Sequence, residues 1–194
     1  MARARVGTDQ KKARQDGLSR VWIDESGFML QPLVRRTWAP RGETPIQYSW
    51  DRRDRLSGIA ALTLSPVRDR LGLYFQLHAS NIHAEEVIAF LRRIHHQLGH
   101  NFLLILDRYS VHRHAVRLLQ EAGVDWLEVE WLPSYAPELD PVEMVWNHTK
   151  YGDLANFVPE DIAHLRQAVD HAIEGIDHEQ SLLRSFFNYT GLSL

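Results

Sequence analysis

The stretch NFLLILD, residues 101–107, constrains the fold more than any other part of the chain. Five apolar residues in succession leave no position to face water, the pattern of a central strand covered on both faces. An acid, Asp107, closes the run. Before it, Ile82, Val87, Ile88, Leu91, Ile94 and Leu98 recur at helical spacing, with Glu85 and Glu86 in the first turn and Gly99 at the end. After it, a helix over roughly 114–122 is stopped by Gly123, and VDWLEVEWL reads as a further strand.

Upstream, VWIDESGF suits a short strand ending in acids and a Ser-Gly turn. LSGIAALTLSP and LGLYFQLH, joined by the charged turn VRDR, form an antiparallel pair. QPLVRRTWAPRGETP, dense in Pro, Gly and Arg, is a long loop or irregular hairpin. Beyond Gly152, PEDIAHLRQAVDHAI and SLLRSFF are helical. Antiparallel strands first and crossovers later imply an α/β chain with a mixed central sheet and helices on both faces.

The 194 residues are enough for one domain with a real core. Residues 1–20 read as a basic flexible arm or linker and 21–194 as the folded domain. No apolar run approaches the roughly 18 residues of a membrane span, and the N-terminus has no hydrophobic stretch for a signal peptide, so a cytoplasmic protein with no membrane partner is expected. Without cysteine, any metal must sit on carboxylates, histidines or carbonyls. The net charge of −3 hides an asymmetry: residues 1–70 hold 14 of the 22 basic and 8 of the 25 acidic residues. All basic residues but Lys11, Lys12 and Lys150 are arginine, which suits bidentate phosphate contacts, although a codon bias toward arginine would look the same.

Three acids occupy telling places. Asp24 ends the first strand, Asp107 ends the central strand, and Glu143 opens a helix in LPSYAPELDPVEMVWNHTK. Helix capping accounts for the last locally: Asp140 as N-cap, Pro141 as first helical residue, and Glu143 reaching back to the cap, with Val142, Val145, Trp146 and Thr149 as the buried face. If the strands are neighbours, however, the three carboxylates converge at one sheet edge. Convergent carboxylates repel unless a cation neutralises them, which argues for a hard divalent metal. Two Mg²⁺ ions about 4 Å apart serve in-line phosphoryl displacement, the chemistry of nucleases and strand transfer.

The blocks IDESGF, RRTWAPRGETP, ILDRYSVHR and LPSYAPELDPVEMVW, in this order, resemble the catalytic domain of DDE transposases of the bacterial insertion-sequence branch of the Tc1/mariner superfamily. The resemblance covers roughly residues 20–170, and the 35 residues between Asp107 and Glu143 are close to that branch's spacing. It implies an RNase H-like fold and a Mg²⁺-dependent endonuclease, with Mn²⁺ as substitute and two ions held by Asp24, Asp107 and Glu143. Water would cut the phosphodiester at the element's end, and the freed 3′-hydroxyl would attack target DNA, usually at TA. DNA is then the partner, with a homodimer formed on it. The chain departs from the family with Arg108-Tyr109 where Asn-Ala is usual and Asp140 where Asn is common. Only about twenty residues precede Val21, so the family's helix-turn-helix modules are expected elsewhere, for instance in a separately encoded subunit.

Arg35, Arg36 and Arg41 around Trp38 suit a DNA backbone or flipped base, against Trp38 in the core. Arg108 could meet phosphate or a neighbouring acid. His112 matches a histidine of the family's second block, with a structural or DNA-contacting role. Glu25 points to the face opposite Asp24 if the strand continues. His95, His96 and His100 invite a zinc reading, but Gly99 interrupts them and a solvated face is the simpler account. Trp126 and Trp131 read as strand packing. Two other functional readings stand beside the transposase: an inactive or truncated remnant serving only dimerisation or interaction, and a host RNase H-like nuclease.

Overall fold

The computed structural model describes residues 17–49, 54–67, 70–134 and 136–192; most of the expected basic arm lies outside them. Its centre is a five-stranded sheet in the order β3-β2-β1-β4-β5. The strands are β1 (Ser19–Met29), β2 (Arg55–Leu64), β3 (Leu71–His78), β4 (Phe102–Leu106) and β5 (Leu127–Trp131). The first three pair antiparallel, while β4 runs parallel to both β1 and β5. The sheet is therefore mixed, as expected, and all five residues of β4 are buried.

The helices are α1 (Ala84–Leu98), α2 (Ser110–Glu121), α3 (Val142–His148), α4 (Ile162–Asp177) and α5 (Gln180–Tyr189). Val87, Phe90 and Ile94 of α1 and Ala115, Val116 and Leu119 of α2 pack with Ile23, Ile59 and Leu104 on one face. Val145 and Trp146 of α3, Val169 and Ile173 of α4 and Phe187 of α5 pack with Trp22, Leu62 and Ile105 on the other. Successive residues of β1 and β4 thus serve opposite cores, which is why Val21, Trp22 and Ile23 of β1 and all five residues of β4 are apolar. Trp22 and Phe187 meet edge to face, 5.1 Å between centroids. No helix among the described residues is long and apolar enough to cross a membrane.

Several boundaries differ from the sequence reading. Strand β1 does not stop at the Ser-Gly turn. Its ladder with β2 continues to Met29 opposite Arg55, so Asp24 lies mid-strand instead of at the end. Pairing along a whole neighbour outweighs the local turn preference of two residues. Gly58 opposite Ser26 serves that pairing: a Cβ there would come within 3.2 Å of Leu77 and Phe28. Helix α2 starts at Ser110, earlier than its apolar periodicity indicates, and β5 is shorter than its apolar run. Helix α1 is closed at both ends, by a reciprocal His83–Glu86 capping box and by Gly99 at φ 72°.

Candidate active site

The parallel register of β1 and β4 decides where the acids stand. Trp22 is opposite Ile105, so continuing two residues along each strand brings Asp24 level with Asp107. Both share the parity of Trp22 and Ile105, the face on which α3 packs. Helix α3 brings in Glu143 in its first turn.

Asp24 is partly buried, and its Oδ2 accepts a hydrogen bond from Trp146 Nε1 at 3.1 Å. Burial first, and then the negative charges of Glu143 and Glu25, push its carboxyl up to about 7. Asp140, at the mouth of α3, is buried and accepts the Val142 N–H at 2.9 Å. Burial, then the charges of Asp24, Glu143 and Asp107, raise its carboxyl well above the usual range. All three expected acids therefore act on one buried point. Asp140 does cap the helix, but Pro141 is the residue at the helix boundary and no capping box forms around Glu143, whose carboxylate is left to other uses.

Asp107 is treated differently. Its side chain is 56% exposed, and Oδ1 accepts from the Tyr109 N–H (3.0 Å) and from His112 Nδ1 (2.7 Å). The His112 bond, working against burial, holds the carboxyl below its ordinary value. The other ring nitrogen, Nε2, meets Glu25 Oε1 at 2.8 Å. Burial opposes charging this ring, but the hydrogen bonds and charges of Asp107 and Glu25 outweigh it and push His112 up to about 10.

His112 is 1% exposed and both its nitrogens are engaged, by Asp107 and Glu25, so neither is left for a DNA phosphate. Glu25 points away from Asp24 as alternation requires, and its partner is His112. Arg35, Arg36, Arg41, Trp38 and Arg108 are all exposed. Trp38, at 99% exposure, is not a core residue. The loop that carries it is pinned at its base: Asn156 accepts the Arg35 N–H (2.8 Å), donates its own to Leu33 (3.0 Å), and accepts from Gln47. Arg35 also lies over the Tyr151 ring, 5.1 Å from its centroid. The three histidines considered for zinc are apart in role: His95 stacks on Trp126 at 4.4 Å and His100 bonds Ser19 Oγ at 2.8 Å.

Sequence reading missed two residues of the site. Its helical spacing marks Trp146 only as helix core, yet its indole N–H holds Asp24. Lys150, seven residues past Glu143, donates to Ser26 Oγ at 2.7 Å and covers the Phe28 ring at 5.4 Å. Burial lowers its ammonium, and the charges of Glu143 and Asp24 partly restore it. A lone lysine two turns beyond a candidate acid, in an arginine-rich chain, was the available signal. It lies in a wider π-helical turn (Thr149–Asp153) continuing α3, a distortion often found at functional sites.

Among the described residues, no three Asp, Glu or His side chains stand as a ready-made metal-ligand set. Like charges brought together repel or take up protons: Asp24 is driven toward its neutral form by burial and by Glu143 and Glu25, while Asp107 is held by His112. The donor chemistry nonetheless fits a hard divalent ion. Asp24 has Oδ1, Asp107 has Oδ2 and Glu143 has its carboxylate outside these hydrogen bonds, all oxygen donors.

The profile of the DDE superfamily endonucleases matches residues 19–164, and the chain belongs to that family. Its fold is the RNase H-like fold of the Mos1 mariner transposase. The chain is similar to the Mos1 transposase in its paired-end complex with the left transposon end, at TM-score 0.63 and 14% identity, covering 95% of this chain and 56% of that one. The Mos1 mariner paired-end complex with Mn gives TM-score 0.63 at 15% identity, covering 96% and 57%. The Mos1 strand transfer complex gives 0.60 at 16%, covering 96% and 58%. The chain thus spans somewhat more than half the length of those chains. No curated protein matches it.

Proposed function

We propose that this chain is the catalytic domain of a Tc1/mariner-type transposase, cutting the phosphodiester at the ends of an insertion sequence and joining the freed 3′-hydroxyl to target DNA. The observation that carries this reading is the β1–β4 register, which sets Asp24 level with Asp107 on the face where Glu143 enters. Asp24, Asp107 and Glu143 would hold two Mg²⁺ ions, with Mn²⁺ as substitute. Bound there, the ions would activate the attacking oxygen and stabilise the leaving one.

The chain's own residues supply position and charge. Trp146 fixes the Asp24 carboxylate through its indole N–H, and the edge-to-face contact with Phe28 at 5.8 Å fixes the indole. Asp140 holds the start of α3, and with it Glu143, in place. Lys150 sets a positive charge beside the acids, suited to a phosphate of the strand being cut. Arg35, Arg36, Arg41 and Trp38 form a basic, aromatic loop suited to the DNA backbone or an unstacked base, and Arg108 adds a charge next to Asp107. Relatives in paired-end complexes support DNA as partner. A homodimer on DNA, a separately encoded recognition module and a TA target belong to the same reading.

The test is calorimetric titration of wild type and Asp107→Asn with Mn²⁺, with circular dichroism to verify that both are folded. Binding by wild type and its loss in the variant are expected, followed by Mn²⁺-dependent nicking of plasmid DNA by wild type alone. Matching titrations would remove Asp107 from the ligand set and leave an interaction domain.

A further inference from the structure

We propose that Glu25 and His112 are a positioning pair that sets the orientation of Asp107 from the opposite side of the sheet. The inference rests on the metal-site reading above and concerns how one of its ligands is held. Asp107 needs such help. It lies beyond the last residue of β4, its side chain is 56% exposed, and no core packing selects its rotamer. What holds it is two hydrogen bonds, from Tyr109 N–H and from His112, both to Oδ1. Oδ2 is thereby the oxygen left over, and its direction is a consequence of where His112 stands.

His112 stands firmly. It is in the first turn of α2, is 1% exposed, and is packed under Tyr109, whose ring meets it edge to face at 5.9 Å. Its second nitrogen is anchored at 2.8 Å by Glu25, a side chain only 19% exposed. A carboxylate accepts and does not donate, so with one on each nitrogen both ring N–H groups donate and the ring cannot flip to a different pairing without losing both bonds. Glu25 in turn is the chain neighbour of Asp24. Strand alternation sends Asp24 to the α3 face and Glu25 to the α2 face. A single dipeptide of β1 therefore places one acid directly and, through His112, fixes a second acid just beyond the end of the adjacent strand. The spacing between Asp24 and Asp107 is tied to one rigid piece of backbone, not to the loop in which Asp107 sits.

Partners that orient metal ligands typically change metal affinity by about 10–100-fold when removed, and that is the effect to measure. Mn²⁺ affinity would be read by electron paramagnetic resonance of free Mn²⁺ on the full chain, beside thermal melts, for wild type, Asp107→Asn, His112→Phe, His112→Asn and Glu25→Ala. His112→Phe fills the space without either donor and should weaken Mn²⁺ binding by about 10–100-fold. His112→Asn keeps a donor near the Nδ1 position and should recover part of the loss; Glu25→Ala, which frees the ring, should fall between wild type and His112→Phe. Should His112→Phe not fold, the other two variants carry the same comparison. A merely structural role would lower the melting temperature of these variants and leave Mn²⁺ affinity at the wild-type value, and that outcome overturns the proposal. Failure of wild type itself to bind Mn²⁺ would instead overturn the metal-site reading and this inference with it.

Discussion

The two faces of β1 neutralise their acids by opposite means. On the α3 face, Asp24 and Asp140 have other acids for company and little water, and burial with like charge pushes both carboxyls up. From the α2 face, His112 bridges Glu25 and Asp107, and its hydrogen bond holds Asp107 low. Residues 24 and 25 are adjacent in the chain, yet one belongs to a strained set and the other to a satisfied one. The difference indicates what each side is for. The satisfied side is complete within the protein, whereas the strained side has a deficit of positive charge that a divalent ion fits.

The sharpest way to break the comparison is Asp24→Asn. It removes a ligand and a repelled charge together. Mn²⁺-dependent plasmid nicking should fall by roughly 10²–10³-fold, the scale of losing one electrostatic contributor to a transition state. The metal-free melting temperature at pH 7.5 should rise. A fall in both would show that Asp24 is not strained.

The pH dependence of metal-free stability comes next. Asp24 titrates near 7 in the fold and near 3.8 when unfolded, so between these values the folded state holds a proton that the unfolded state has released. Stability therefore falls as pH rises from about 4 to 7. His112 acts in the same direction in a later window: its contribution is complete below 6.5 and is lost as pH rises toward 10. Asp107 and the exposed Glu86 work the other way, losing their contributions in acid. Thermal melts from pH 4.5 to 9 should descend, and Mn²⁺ should flatten the descent between pH 6 and 8; an ascending curve would contradict the assignment.

Asp140→Asn is a smaller change, since the amide oxygen keeps the Val142 N–H bond while the buried acid is removed. The melting temperature should rise by about 2–4 °C, equivalent to about 1 kcal/mol in a chain of this size. Smallest is Lys150→Gln: fold stability should change little, and the salt dependence of DNA binding should lose about one unit of slope if Lys150 meets a phosphate.

Much of this was open to reading in the chain. That Asp107 follows a strand and Glu143 opens a helix is legible in local patterns, because an apolar run, an acid and a proline signal their structure within a few residues. Asp24 shows the limit: the Ser-Gly pair after it signals a strand end, and the β2 ladder overrides that signal. Trp38 shows another, since an aromatic among arginines does not reveal whether it is covered. The role of His112 depended on Glu25, 87 residues away, and Trp146 reaches Asp24 across 122.

The sequence by itself determined that β4 is buried on both faces, that helices cover both sides of the sheet, and that Asp107 follows a strand while Glu143 opens a helix. These follow from periodicity and alternation, which are properties of neighbours. The tertiary structure decided which acid keeps its proton, which is paired, and which side chains hold them. Burial and charge are set by whatever packs nearby, and in this fold those groups come from β1, α2 and α3, segments that only the sheet brings together.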